Sequence, residues 1–397
     1  MGFPPYIFCE VLPNQPFSVR VCQGFMEECA KHLPEIPVFK NARTDRAVLL
    51  AAECKAALMA AGTSRVHDLV RSLDIPLLNY SNNCGAHLAM VNVFSDDGEN
   101  GRCAAKHLLA KGYQRFLFVG LRGVVFSEER LKGFREALES AGHGVEIGEL
   151  VFPPIPNPVA LHEDTEKQMR SFLPEQPQPL GICCANDALA ESFRSFLLRR
   201  LPEQSSLSGI VGIDDAAGDS EISGAGKCEG GLSSVRPDFE AVGRRCAVEI
   251  AHALQTGVWE RGKVVRVPGA RLIERESTGG FSCDDVMVVR LSRRIHQLVE
   301  AGESPRVDAL AAEFRASSRT LLYHFQAACG QSLREYILEL RLQRAARLCS
   351  DPDRSLSDIA YACGFDKQGA LSTHFRKRFG QSPAAYRKSI RSLEVST

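Results

Sequence analysis

The chain has 397 residues, more than one hydrophobic core organises, and its 44% hydrophobic and 24% charged residues are those of a folded globular protein. A stapled mini-scaffold, a collagenous repeat and a wholly disordered chain are thereby excluded. The formal charge of zero hides an asymmetry: residues 284–397 carry 18 Lys and Arg against 13 Asp and Glu, a net +5, which leaves −5 on residues 1–283.

The opening Met1-Gly2-Phe3-Pro4-Pro5-Tyr6 has no basic n-region, and no apolar run approaches the roughly 18 residues that cross a bilayer. A cytoplasmic protein is expected. Fourteen cysteines scattered from Cys9 to Cys363 without a C-x-x-C pair are expected to be reduced, mostly buried small hydrophobes, not a disulfide framework or metal ligands.

Residues 1–278 alternate short apolar runs with amphipathic stretches. Strands are expected at Tyr6–Leu12, Ala56–Ala61, Ile75–Leu78, Arg115–Val119, Leu180–Cys184 and Gly209–Ile213, and helices at Val19–His32, Arg102–Ala110, Glu129–Ala141 and Ala188–Leu198. That order makes an α/β domain of doubly wound parallel sheets, and its length suits two lobes sharing a cleft. An eight-unit barrel is the alternative, but the region closes on the β-like runs Lys263–Val267 and Arg271–Ile273 instead of a helix. The polar, glycine-containing stretch Glu274–Ser282 reads as linker, giving a sensor at 1–278, a linker at 279–285 and an all-α domain at 286–397.

The helical part repeats itself. Leu321, Phe325, Gly330-Gln331-Ser332 and Tyr336 recur fifty residues on as Leu371, Phe375, Gly380-Gln381-Ser382 and Tyr386. Upstream the offset is forty-nine: Val307, Leu310, Ala311 and Phe314 align with Leu356, Ile359, Ala360 and Cys363, so one turn is a residue longer. Each unit reads as helix, turn, helix, with Ser317 or Ser318 capping the second helix of the first unit and Gly364 turning the second. A helix over Leu333–Leu348, roughly 25 Å long, would hold the two units about one duplex turn apart. A repeat of helical hairpins serving protein interaction is the plainer alternative.

The run Ile359-Ala360 through Gly364-Phe365, with Phe375, Phe379-Gly380, Pro383 and Tyr386-Arg387, resembles the DNA-binding signature of AraC-type regulators. The resemblance implies a double-stranded operator as partner, read in consecutive major grooves. On that footing Arg319, Tyr323, Gln368 and Thr373 are candidates for base contact, and Arg376, Lys377 and Arg378 are either phosphate contacts or solvated surface charge.

Three residues in the α/β region fall where doubly wound sheets bind ligands, at the carboxyl ends of strands: Arg130, Asp187 and Asp214. Two carboxylates and a guanidinium suit a ligand bearing several hydroxyls. Asp187 as a helix cap and Asp214 as a turn former are the structural alternatives. Glu129-Arg130-Leu131-Lys132-Gly133-Phe134, Asn186-Asp187, Gly212-Ile213-Asp214 and the closing Arg271–Thr278 resemble the effector domain of LacI/GalR-type regulators and periplasmic sugar-binding proteins. A LacI-like sensor followed by an AraC-type reader resembles the bacterial xylose-operon regulators. This implies a homodimer that binds a small sugar, D-xylose first among them, with another monosaccharide or a nucleobase as alternatives. The sequence calls for no cofactor and no metal. An enzyme is disfavoured, because there is no P-loop, no G-x-G-x-x-G after a strand, no G-x-S-x-G and no metal-spaced His/Cys cluster.

Overall fold

The structure is a computed structural model describing residues 3–12, 15–41, 52–60, 70, 72–83, 89–150, 163–216, 231–280, 283, 285–351 and 353–394. The first lobe is built on β1 (Phe3–Glu10), β2 (Val38–Asn41), β3 (Ala52–Met59), β4 (Leu77–Asn79) and β5 (Val91–Ser95). The second holds β6 (Phe116–Leu121), β7 (Glu146–Leu150), β8 (Leu180–Cys184), β9 (Ser208–Ile213) and β10 (Ser233–Arg236). The chain then returns to give β11 (Lys263–Val267) to the first sheet, order β11-β5-β4-β3-β1-β2, and β12 (Arg271–Ile273) to the second, order β12-β10-β9-β8-β6-β7. All pairs are parallel except β10 with β12. Two sheets exclude the barrel. Strands such as Leu180–Cys184 are buried along their whole length, as parallel strands covered on both faces must be.

Around the sheets lie α1 (Pro16–His32), α2 (Asp97–Ala110), α3 (Val125–Ser140), α4 (Glu163–Ser171), α5 (Asp187–Arg200), α6 (Pro202–Leu207) and α7 (Phe239–Thr256). Helices α1 and α7 pack together on the first lobe, α2 and α3 on the second. The chain therefore crosses between lobes three times, at 95–97, 236–239 and 267–271, and these crossings frame the cleft. One sequence expectation changes here. Cys9 and Cys22 are joined as a disulfide, because β1 and the helix that follows it stack the two side chains face to face in one core. Cys29, Cys54, Cys103, Cys183, Cys184, Cys246, Cys329, Cys349 and Cys363 are free.

The helical domain comprises α8 (Val286–Ala301), α9 (Val307–Glu313), α10 (Ser318–Cys329), α11 (Leu333–Leu348), α12 (Leu356–Ala362), α13 (Gln368–Phe379) and α14 (Pro383–Glu394). The stretch read as linker is, in its first half, fixed structure. Glu276–Thr278 is a 3₁₀ turn whose Thr278 Oγ1 lies 2.6 Å from Ser233 Oγ and 2.8 Å from His107 Nε2, while Ser277 Oγ donates to the Ile210 carbonyl at 2.5 Å. Helix α8 docks directly on it: Gln297 Nε2 donates to Glu276 Oε1 at 3.4 Å, and Arg293 donates to the Ser205 carbonyl at 3.1 Å and to the Tyr113 hydroxyl. Apolar composition would have given this stretch away as packed; Ser277 and Thr278 are held by side-chain hydrogen bonds instead.

Candidate functional site

Between the lobes is a cleft of about 400 Å³, its open mouth included, lined by residues from both. Arg130 lies at its base, 4% exposed, on the first turns of α3. Its Nε donates to Asp97 Oδ1 at 2.8 Å, Nη1 to the Ala185 carbonyl at 2.6 Å and Nη2 to Asp214 Oδ1 at 3.0 Å, and the Phe126 ring sits 4.7 Å from Cζ. Burial opposes the guanidinium charge, but Asp214 and Asp97 outweigh it and raise the pKa, so Arg130 stays cationic. Glycines make this placement possible. A Cβ on Gly101 would lie 2.0 Å from the Arg130 carbonyl and one on Gly133 2.0 Å from that of Gly98, so α2 and α3 cross in backbone contact and bring Asp97 to Arg130.

Asp214, just after β9, meets Arg130 in the cleft, as its position at a strand end suggests. Burial raises its pKa and the Arg130 charge works against that rise. Its backbone lies at φ 117° and that of Asp215 at φ 50°, conformations that cost a residue bearing a Cβ on the order of 1–3 kcal/mol. Arg20 of α1 secures both, donating to the Asp214 carbonyl at 3.0 Å and the Asp215 carbonyl at 2.7 Å.

Asp187 lies elsewhere. The cap of α5 is Asn186, whose side chain accepts from Leu189 N, while Asp187 is buried with Oδ1 accepting from Ser234 Oγ at 2.6 Å and Oδ2 from Ala216 N at 2.7 Å. It is not among the described residues lining the cleft. Burial, then the charge of Asp214, push its pKa up to about 7.

Sequence reasoning missed most of the opposite wall. Asn82, following β4, donates from Nδ2 to Asp97 Oδ2 at 3.0 Å and to Glu129 Oε2 at 2.8 Å; its Oδ1 is buried without a hydrogen-bond partner. Phe17, Tyr80, Phe126 and Phe239 supply aromatic surface. The strand-end rule applied to β4 and β5 would have flagged Asn82 and Asp97. The aromatic residues have no local signal. Arg266 of the first lobe reaches across to the second, donating to Glu129 at 2.5 Å.

In the helical domain both units fold as read. Ser317, not Ser318, caps α10 by accepting from Thr320 N at 3.0 Å. Helix α11 spans Leu333–Leu348 and opens with a capping box between Ser332 and Glu335. Arg319 and Tyr323 are exposed on α10, and Gln368, Thr373, Arg376 and Lys377 on α13, with Gln368 its first residue. Thr373 Oγ1 donates to the Gly369 carbonyl at 3.0 Å. The neighbouring Arg378 is tied to Glu339 of α11 at 2.7 Å. Such a pair of short helix-turn-helix units joined by one longer helix presents two recognition helices to DNA.

A two-lobed ligand cleft followed by a duplicated helix-turn-helix domain is the build of a ligand-responsive transcription regulator. A periplasmic binding protein-like domain family matches residues 105–278, and a helix-turn-helix domain family matches residues 310–389. The chain is 25% identical over 286 residues to the xylose operon regulatory protein of Escherichia coli (strain K12), 71% of this chain and 69% of that protein. It is 35% identical over 184 residues to the HTH-type transcriptional regulator GntR of Pseudomonas aeruginosa, where it spans about half of that protein, 48%. A solved structure titled as the xylose-binding transcription activator xylR shares the whole fold, with a TM-score of 0.74 at 20% identity over 98% of this chain and 99% of that one. Among the described residues no helix is long and apolar enough to cross a membrane.

Proposed function

We propose that the chain is a DNA-binding transcription regulator, not an enzyme, whose lobes close on a monosaccharide and whose helical domain then engages operator DNA, acting as a cytoplasmic homodimer. D-xylose is the first ligand to test, on the strength of the similarity to the xylose operon regulatory protein. The observation that carries the reading is the charged core of the cleft: Arg130 fixed by Asp97, Asp214 and the Ala185 carbonyl, beside Phe126 and the unpartnered Asn82 Oδ1. Three of five guanidinium N–H groups are engaged, which leaves two donors for hydroxyl oxygens; Asn82 and Asp214 supply acceptors for hydroxyl protons. The phenylalanine rings offer flat apolar faces to the C–H side of a sugar ring. Asp187 shapes the same site from behind, through Ser234 and the residues after Asp214.

Calorimetry with D-xylose, L-arabinose, D-glucose and adenine tests this. One sugar binding, with roughly 1.5–3 kcal/mol lost in Asp214→Asn and the fold retained, is the expected outcome. Asparagine is the right replacement because it tolerates positive φ better than alanine. Wild-type affinity in that variant, or binding of adenine alone, would overturn the reading.

A further inference from the structure

Asp214 and Asp215 are neighbours in sequence whose side chains run to different parts of the molecule. Asp214 meets Arg130 in the cleft. Asp215 is 2% exposed and holds Arg275 Nη2 at 2.5 Å, with Arg236 Nη1 at 3.5 Å. Arg275 in turn is clasped by the second lobe: its N–H donates to Ser233 Oγ at 2.8 Å, its carbonyl accepts from the same hydroxyl at 3.0 Å, and Nη1 donates to the Leu232 carbonyl at 2.8 Å. The next three residues are the turn Glu276–Thr278, and on that turn sits α8. The seat has no slack, since a Cβ on Gly279 would lie 2.5 Å from His296 Nδ1 and one on Gly280 2.7 Å from Ser292 Oγ.

We propose that Asp215 and Arg275 form a relay that sets the seat of the helix-turn-helix domain according to the state of the cleft. Three features carry this. The dipeptide Asp214-Asp215 is held at two consecutive positive φ angles by Arg20, which belongs to the first lobe while the dipeptide belongs to the second. A change in the angle between lobes therefore pulls on both carbonyls, and a ligand touching Asp214 acts on the same dipeptide from inside the cleft. The Asp215 carboxylate, buried and ion-paired, transmits the shift to Arg275 and so to the turn beneath α8. The relay joins two contacts, the lobe interface and the α8 seat, and coupling requires each of them to take two arrangements.

The proposal rests on the functional reading above, and the test separates the two. The full chain, Asp215→Asn and Arg275→Gln are compared for D-xylose affinity by calorimetry. They are also compared for affinity toward a duplex selected by the wild type from a randomised pool, with and without saturating D-xylose. Both variants are expected to keep D-xylose affinity within about threefold while the sugar's effect on duplex affinity shrinks at least about fivefold. Wild-type coupling in both variants, or a parallel loss of sugar affinity and coupling, would overturn the relay. Arg275→Gln leaves the positive-φ pair intact and serves if Asp215→Asn does not fold. Should the wild type bind neither D-xylose nor a duplex, the functional reading falls, and amide exchange decides the relay. Exchange across residues 286–301 is then expected to be about tenfold faster in the variants, with α1 unchanged, whereas equal rates would sink it.

Discussion

The first helix-turn-helix unit, α9 and α10, shares its core with α8 and the front half of α11; the second, α12 and α13, shares its core with the back half of α11. Leu310, Ala311, Leu321 and Phe325 pack with Val288, Leu291, Ile295 and Val299 of α8, and with Leu333, Tyr336, Ile337 and Leu340. Ile359, Ala360, Leu371 and Phe375 pack instead with Leu342, Ala345 and Cys349, closed by the Phe375–Phe379–Tyr386 ring cluster. The first unit is thus seated on the sensor through α8, whereas the second reaches it through α11. Duplication kept the device and changed its anchorage.

If the cores are separate, Phe325→Ala and Phe375→Ala should each cost about 3–5 kcal/mol, both side chains being fully buried. Amide exchange should then show α8 released by Phe325→Ala and left protected by Phe375→Ala. Release of α8 in both variants would merge the two cores into one.

Acid should find the anchored unit first. Burial holds the His107 pKa down to about 4 from 6.5 and also lowers that of His296, which lies in the α8 seat near Glu300, Lys111 and Glu274. Between pH 6.5 and about 4 the unfolded chain takes up protons that the folded chain refuses, so stability falls as pH falls through that window. Melting temperature followed from pH 7.5 to 5 should decline less steeply in His107→Gln than in the wild type. Identical slopes would remove His107 from the account.

Within the second unit, Gln368 opens α13 and Arg376 lies two turns on. Gln368→Ala should change the preferred base at one position, at about 1–3 kcal/mol, and Arg376→Ala should weaken all sequences alike and flatten the salt dependence by about one unit. A randomised-site selection returning one motif for Gln368→Ala and wild type would reverse the orientation of the helix in the groove.

The smallest contrast is in the turns. Arg315 at φ 49° and Gly364 at φ 75° are forty-nine residues apart, the same place in the two units. Gly364→Ala should lose about 1–2 kcal/mol, while Arg315→Gly should change stability by no more than about 1 kcal/mol, because relief of strain offsets the added freedom of the unfolded chain. Chemical denaturation of the full chain checks both.

The repeat, the alternation of strands with helices and the helix Leu333–Leu348 were legible in sequence because each rests on periodicity or self-similarity, which local packing enforces. The left-handed Arg315 was not, since an arginine carries no sign of the backbone it must adopt. In the cleft, Asp214 was found by its place at a strand end and Arg130 by its place early in the helix after β6, but Asp187, at a strand end like Asp214, turned inward to Ser234 and Ala216. Which face a strand-end carboxylate takes is set by partners some thirty to fifty residues away. The same distance hid Asn82 and the aromatic wall, whose members meet only once both lobes are folded.

The chain's three crossings also bear on how the protein is made. Helix α1 finds its packing partner α7 only when residues 239–256 exist, and β5 gains its neighbour β11 only at 263–267. At about 5–20 residues per second, a ribosome that has finished β5 needs roughly 7 to 30 s to deliver α7. During that interval Val21 and Phe25, which share a core with Val242 and Ile250 of α7 in the finished lobe, belong to a nascent half-domain with one face open. The first part of the chain to be synthesised is therefore among the last to be completed, and it is the part with the longest exposure to chaperones and to aggregation.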